Sequence, residues 1–119
     1  MPPSYSIEMA GDILIVSFSG PPSLSDYCAA MDEIAKHEDN LLRLWDMSCG
    51  FSMSHDNIER MAKYARLKLS SPGSKVAVYA PQDLTFGLFR VNEVYRTHGS
   101  VAYQVFRHKE EAIEWLKLR

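Results

Sequence analysis

Leu41-Leu42-Arg43-Leu44-Trp45-Asp46-Met47-Ser48 is the stretch that decides the fold of this chain. Its apolar residues fall at successive rather than alternate positions, the pattern of a strand covered on both faces, and such strands belong to parallel sheets. The stretch ends in an acid and passes through a short serine-containing loop into a helical pattern that begins near Ser54. A parallel strand that brings its carboxyl end and the next helix's N-terminus to one place makes the usual ligand-facing edge of an open α/β sheet. The surface from Asp46 to Asp56 is therefore the first candidate for a working site.

Working outward, Asp39-Asn40 turns the chain into this strand from a helical stripe of Leu24, Tyr27, Cys28, Met31, Ile34 and Ala35, predicted to run to about Glu38. Gly20-Pro21-Pro22 precedes that helix as a breaker, and Ser23 with Asp26 resembles a capping box. Earlier still, Tyr5, Ile7 and Met9 alternate with polar residues, Ala10-Gly11-Asp12 has turn chemistry, and Ile13 to Phe18 is a β-branched apolar run, together an antiparallel hairpin. Downstream, Ile58, Met61, Ala62, Ala65 and Leu69 form a second helical stripe closed by Ser70-Ser71-Pro72-Gly73. Lys75 to Ala80 reads as the fourth strand. Pro81-Gln82-Asp83 opens a third helix with Leu84, Leu88, Val91 and Tyr95 as its core stripe and His98-Gly99 as its C-cap. Val101 to Phe106 is the fifth strand. The last helix has Glu110 and Glu111 in its first turn, an apolar set of Ala112, Ile113, Trp115 and Leu116, and Lys117 and Arg119 at its end.

The order ββαβαβαβα predicts an α/β fold: one domain over 1–119, with a mixed, mostly parallel five-stranded sheet and helices on its faces. At 119 residues the chain is long enough to bury a core without staples. Cys28 and Cys49 lack the density of a disulfide scaffold, and a reduced compartment, the cytoplasm, is expected. The start Met1-Pro2-Pro3-Ser4-Tyr5 has neither the basic beginning nor the apolar run of a signal peptide, and no segment approaches the roughly 20 apolar residues of a membrane span. The formal net charge is -2, with both signs interspersed, which argues against the basic face that nucleic-acid binding needs.

With that order in hand, the whole chain resembles the bacterial SpoIIAA-like family, whose fold is of the STAS type and is related by structure to CRAL-TRIO lipid-transfer domains. The residues carrying the resemblance are Lys75-Val76-Ala77-Val78-Tyr79-Ala80-Pro81 leading into Leu84-Thr85-Phe86-Gly87-Leu88, and Val105-Phe106-Arg107 with Glu111-Ala112-Ile113-Glu114-Trp115-Leu116. These motifs are structural, so they speak to fold rather than activity. STAS proteins that antagonise anti-sigma factors have a strand ending in Asp, a loop, and an Asp-Ser-Ser-Gly element whose serine is phosphorylated at the start of the second helix. Asp46 matches the strand-end acid. Ser54-His55-Asp56-Asn57 stands at the place of that element, with an acid where the phosphorylated serine would be, so the resemblance does not carry the phospho-switch across.

The candidate residues each have a local reading beside a functional one. Asp46 either holds the Ser48 to Gly50 loop by accepting from its backbone or faces a ligand. Ser48, Ser52 and Ser54 are phosphate acceptors or, for the serine before a helix, a cap. Gly50 stands without the glycine spacing or Gly-Lys-Ser of a phosphate loop. His37, His55, His98 and His108 never fall at i, i+3 or i, i+4, so neither a metal nor another cofactor is expected. His55 and Asp56 near Cys49 suggest a Cys-His nucleophile, against an unreactive loop thiol. Phe86 and Phe89 lie beside the predicted stripe of the third helix, Tyr64 and Leu67 beside that of the second, and Phe51 and Met53 in the preceding loop. Either these fill the core or they widen the apolar arc beyond what the sheet can cover.

The expectation is a non-enzymatic STAS-like binding or regulatory domain. It would hold a protein partner, including a second copy of itself as a homodimer, through Asp46, Ser48, Phe51, Met53, Ser54, His55, Asp56, Phe86 and Phe89. The alternative is a carrier of a small apolar or lipid-like ligand held by the same arc.

Overall fold

The computed structural model describes residues 5–37, 42–50, 53–69, 73–96 and 101–118, with the side chains of helix α3 described as far as Glu93. The elements follow the order β1 (Tyr5–Ala10), β2 (Ile13–Phe18), α1 (Leu24–Ala35), β3 (Leu42–Asp46), α2 (His55–Lys68), β4 (Lys75–Tyr79), α3 (Asp83–Arg96), β5 (Ala102–Phe106) and α4 (Lys109–Lys117). The strands form one sheet in the order β1-β2-β3-β4-β5, antiparallel between β1 and β2 and parallel thereafter. The expected α/β order and mixed sheet are what the chain forms. The turns at Asp39-Asn40 and Ser70-Ser71-Pro72, the cap at His98-Gly99, and Phe51 and Ser52 lie outside the described residues.

Because β2 to β5 advance across the sheet in one direction, right-handed crossovers place α1, α2 and α3 on the same face. α4 follows the last strand and returns over the other face. The core divides accordingly. Leu14, Val16, Phe18, Trp45, Val76, Val78, Tyr103 and Val105 point toward α1, α2 and α3. Ile13, Leu44 and Ala77 point toward Ala112 and Leu116 of α4. β3 thus buries both faces, as its apolar residues at adjacent positions require. Arg43, on the three-helix side, is nonetheless only 1% exposed.

Local chemistry sets the helix ends. Ser23 accepts from the Asp26 N–H at 3.1 Å while Asp26 accepts from the Ser23 N–H, completing the capping box of α1. Ser54 caps α2 by accepting from the Asn57 N–H at 3.2 Å. At the C-terminus of α4, Lys75 donates to the carbonyls of Trp115 and, at 2.9 Å, Leu118, and its ammonium sits 4.4 Å from the Trp115 ring centroid. One cation from β4 therefore satisfies the last turn of the helix that covers its face.

α3 departs from the sequence reading. Leu84, assigned to the core stripe, is 64% exposed, while Thr85, Phe89 and Asn92 are buried and Leu88 and Val91 are half-buried. Two contacts rotate the helix this way. Phe89 meets Tyr27 at 6.2 Å between ring centroids, beside a stack of Tyr27 on Trp45 at 4.4 Å and on Phe18 at 5.8 Å. Asn92 donates its amide to the Tyr103 hydroxyl at 2.6 Å. An aromatic cluster and a buried polar pair fix a phase that hydrophobicity alone misplaces by about one residue.

Candidate functional site

The carboxyl ends of β3, β4 and β5 gather the candidate residues at one edge of the sheet. Neighbouring strands β4 and β5 send their chains to opposite faces there, β4 into α3 and β5 into α4, which is where an open α/β sheet makes a crevice.

Asp46 closes β3 with its side chain 14% exposed. Its Oδ1 accepts from the Ser48 N–H at 3.1 Å, and its Oδ2 lies 3.4 Å from the Lys109 Nζ in the first turn of α4. The local reading of Asp46 as the organiser of its own loop is realised, and a partner from α4 is added. The loop then tightens: the Gly50 N–H donates to the Met47 carbonyl at 3.1 Å, with Gly50 at φ +93°, and a side chain there would press on Gln82. Ser48 is exposed and Met47 is buried.

Just beyond β5, Arg107 ion-pairs with Asp83 in the first turn of α3 and lays its guanidinium 4.2 Å from the Phe86 ring centroid. Phe86 is half-buried against the core and lies against Arg107. Two ion pairs thus span this edge, the partly buried Asp46–Lys109 and the exposed Asp83–Arg107. The sequence reading did not assign Asp83, Arg107 or Lys109 to the site. The signal was present in charged residues at or soon after the ends of three parallel strands: Asp46 ends β3, Asp83 lies four residues beyond β4, and Arg107 and Lys109 follow β5.

The remaining candidates scatter. Ser54, His55 and Asp56 are exposed at the start of α2, with Ser54 engaged as its cap and Asp56 complementing the helix dipole. Met53 is half-buried against the core. Phe89 is fully buried in the aromatic cluster, so the expectation that it faces a partner or ligand is corrected: it is a core residue. Phe51 lies outside the described residues. Tyr64 donates its hydroxyl to Asp32 of α1, which pushes the phenol up to about 12, while Leu67 is 83% exposed.

Cys49 does not have the environment of a nucleophile. Burial and, secondarily, the Asp46 charge push its thiol up, outweighing the opposing effect of a local backbone hydrogen bond. Its Sγ donates to the Gly50 carbonyl at 3.3 Å. An activated thiol needs the opposite, a cation or helix N-terminus beside it. Cys28 is likewise pushed up by burial and by Asp32. Among the described residues, no three or more His, Cys, Asp or Glu gather as metal ligands, and no helix is long and apolar enough to cross a membrane.

A hollow of about 750 Å³ lies elsewhere, on the α4 face. Ile13, Ile15 and Leu42 form its floor, Ile113, Leu116 and Leu118 its wall, and the β1–β2 turn one end. It exists because α4 packs over β3, β4 and β5 and leaves β2 half-covered.

No protein-family profile matches the sequence, and no curated protein matches it. Among solved structures, the chain is similar to "Structure of the Anti-Sigma Factor Antagonist SpoIIAA in its Unphosphorylated Form", with 12% sequence identity, a TM-score of 0.58, and coverage of 95% of this chain and 97% of that one. The strands, helices and connections described above are therefore those of the SpoIIAA, or STAS, fold, shared across nearly the whole of both chains.

Proposed function

We propose that this chain is a non-enzymatic regulatory domain that holds a protein partner on the surface formed by the Asp46–Gly50 loop and the first turns of α2 and α3. The observation that supports this reading is the internal pairing at the carboxyl ends of the strands. Asp46 is taken by Ser48 and Lys109, Asp83 by Arg107, and Cys49 is held protonated. Polar groups that satisfy one another stiffen a surface instead of presenting a reactive group. What this edge offers is a rigid rim of exposed Ser48, Ser54, His55, Asp56 and Leu84. The SpoIIAA fold, whose namesake antagonises an anti-sigma factor, adds weight to a protein partner. Asp56 gives the rim a fixed negative charge, so the surface works without a phosphate being added. Two free thiols suit a reducing, cytoplasmic setting.

Affinity purification with quantitative mass spectrometry tests the reading. A protein enriched by the native chain and lost with Leu84→Glu or Asp56→Lys, but kept with Leu67→Ser on the far part of α2, is the expected result. Enrichment that ignores both rim substitutions overturns it.

A second reading, a carrier of a small apolar ligand, is favoured by the hollow beside α4 and relocates the expected ligand from the α2–α3 arc to the opposite face. Native mass spectrometry of gently purified protein would show a retained small mass, which Ile15→Trp removes. A spectrum without adducts from several preparations removes the reading.

A further inference from the structure

β1 is an edge strand, and among the described elements its substantial contacts are with β2 alone. Edge strands are ordinarily guarded by Lys, Pro, a bulge or a covering helix. Tyr5-Ser6-Ile7-Glu8-Met9-Ala10 contains neither Lys nor Pro, and its pairing with β2 runs without interruption from Tyr5↔Phe18 to Ala10↔Ile13. Met9 is 52% exposed. The other edge, β5, is flanked by both α3 and α4.

The hairpin turn determines which groups β1 presents. Gly11 has φ +61° and Asp12 is not at positive φ, the pattern of a two-residue II′ turn. Such a turn is closed by the Ile13 N–H donating to the Ala10 carbonyl. Hydrogen-bonded pairs then alternate back along the hairpin, through Glu8↔Ile15 and Ser6↔Ser17. The N–H and C=O groups of Tyr5, Ile7 and Met9 are consequently the ones that point away from the sheet.

From this geometry we infer that β1 pairs antiparallel with β1 of a second copy, about a two-fold axis through Ile7, to make one continuous sheet across the dimer. A two-fold perpendicular to the sheet keeps each face on its own side, so residues of like parity must oppose one another. Centred on Ile7, Ile7 faces Ile7 and Tyr5 faces Met9 in hydrogen-bonded pairs on the three-helix side, while Ser6 faces Glu8 in the closer, non-hydrogen-bonded pairs on the α4 side. About six main-chain hydrogen bonds form, and the exposed Met9 is covered by a tyrosine. The competing registers fail on chemistry. Centring on Glu8 sets two carboxylates directly opposite, and centring on Ser6 sets Glu8 and Met9 opposite positions outside β1, so that only residues 5–7 pair. This interface uses none of the residues of the partner rim proposed above and stands independently of it.

Sedimentation velocity over a concentration series tests the pairing and its register together. An edge interface of this size lies at the small end of specific interfaces, and a dissociation constant on the order of 10 μM is expected. Ser6→Glu places like charges opposite at two symmetric positions and should weaken the dimer by about 3- to 30-fold, while Ser6→Lys should tighten it and Ser6→Glu with Glu8→Lys should restore it. Ser6 is exposed, so these variants keep the monomer fold, which circular dichroism verifies. A strict monomer at several hundred micromolar overturns the inference. So does a dimer whose affinity is the same in all the variants, because the second copy would then be docking elsewhere.

Discussion

Asp46 shows how one carboxylate can serve two neighbours at once. It anchors its own loop through the Ser48 amide, ties that loop to α4 through Lys109, and adds to the burial that keeps the Cys49 thiol protonated. Removing it by Asp46→Ala should cost about 1 kcal/mol, from one lost charge-assisted contact and one newly unpartnered amide, read as a lower urea midpoint. Asp46→Asn separates the electrostatic part. Loss of the negative charge should move the Cys49 labelling inflection to lower pH, while the larger effect, burial, remains and keeps it above an ordinary thiol. Iodoacetamide labelling across pH, resolved to the Cys49 peptide, measures both positions. A native thiolate that forms below the ordinary range would contradict this and reopen a reactive role.

At the scale of the element, α3 is the instructive case. Its orientation rests on Phe89 within the aromatic cluster and Asn92 on Tyr103. Phe89→Ala should therefore destabilise the chain by about 3–5 kcal/mol, whereas Leu84→Ala should change stability by no more than about 0.5 kcal/mol. Chemical denaturation of the two variants checks this, and a large loss at Leu84 would mean the helix is turned as its hydrophobic pattern suggested. That pattern read the remaining elements well, because β3, the hairpin, α1 and α2 carry their burial in apolar residues at regular spacing and their ends in Ser23 and Ser54. It misled at α3, where the inward face includes the polar Thr85 and Asn92, the latter held by the Tyr103 hydroxyl of another element. For the same reason the strand-end position of Asp46 was legible and its bridge to Lys109 was not: a contact between residues so far apart in the chain is set by how the strands line up. Phe86 shows the limit of counting apolar side chains, since the face predicted to need a partner lies against Arg107 of its own chain.

Across the whole molecule, the unequal division of helices matters most. α1, α2 and α3 close one face thoroughly, while α4 alone serves the other and leaves the hollow beside β2. The hold of α4 depends on Ala112 and Leu116 beneath it and on Lys75 at its end. Lys75→Met keeps the packing and removes the cation, and should lower stability by about 2 kcal/mol. Hydrogen exchange should then show the loss of protection concentrated in α4 and the start of β4 rather than in α1 to α3. Protection that falls evenly over the whole chain would show the two faces to be a single cooperative unit.

The sequential order of the strands also has a bearing on how the protein is made. Each new strand emerging from the ribosome finds its neighbour already waiting at the growing edge, so the three-helix side can assemble as synthesis proceeds. The opposite side has no such provision. Ile13, Leu44 and Ala77 stay wet until α4 has followed β5 out of the exit tunnel, so this face remains open to aggregation for longer than the three-helix side.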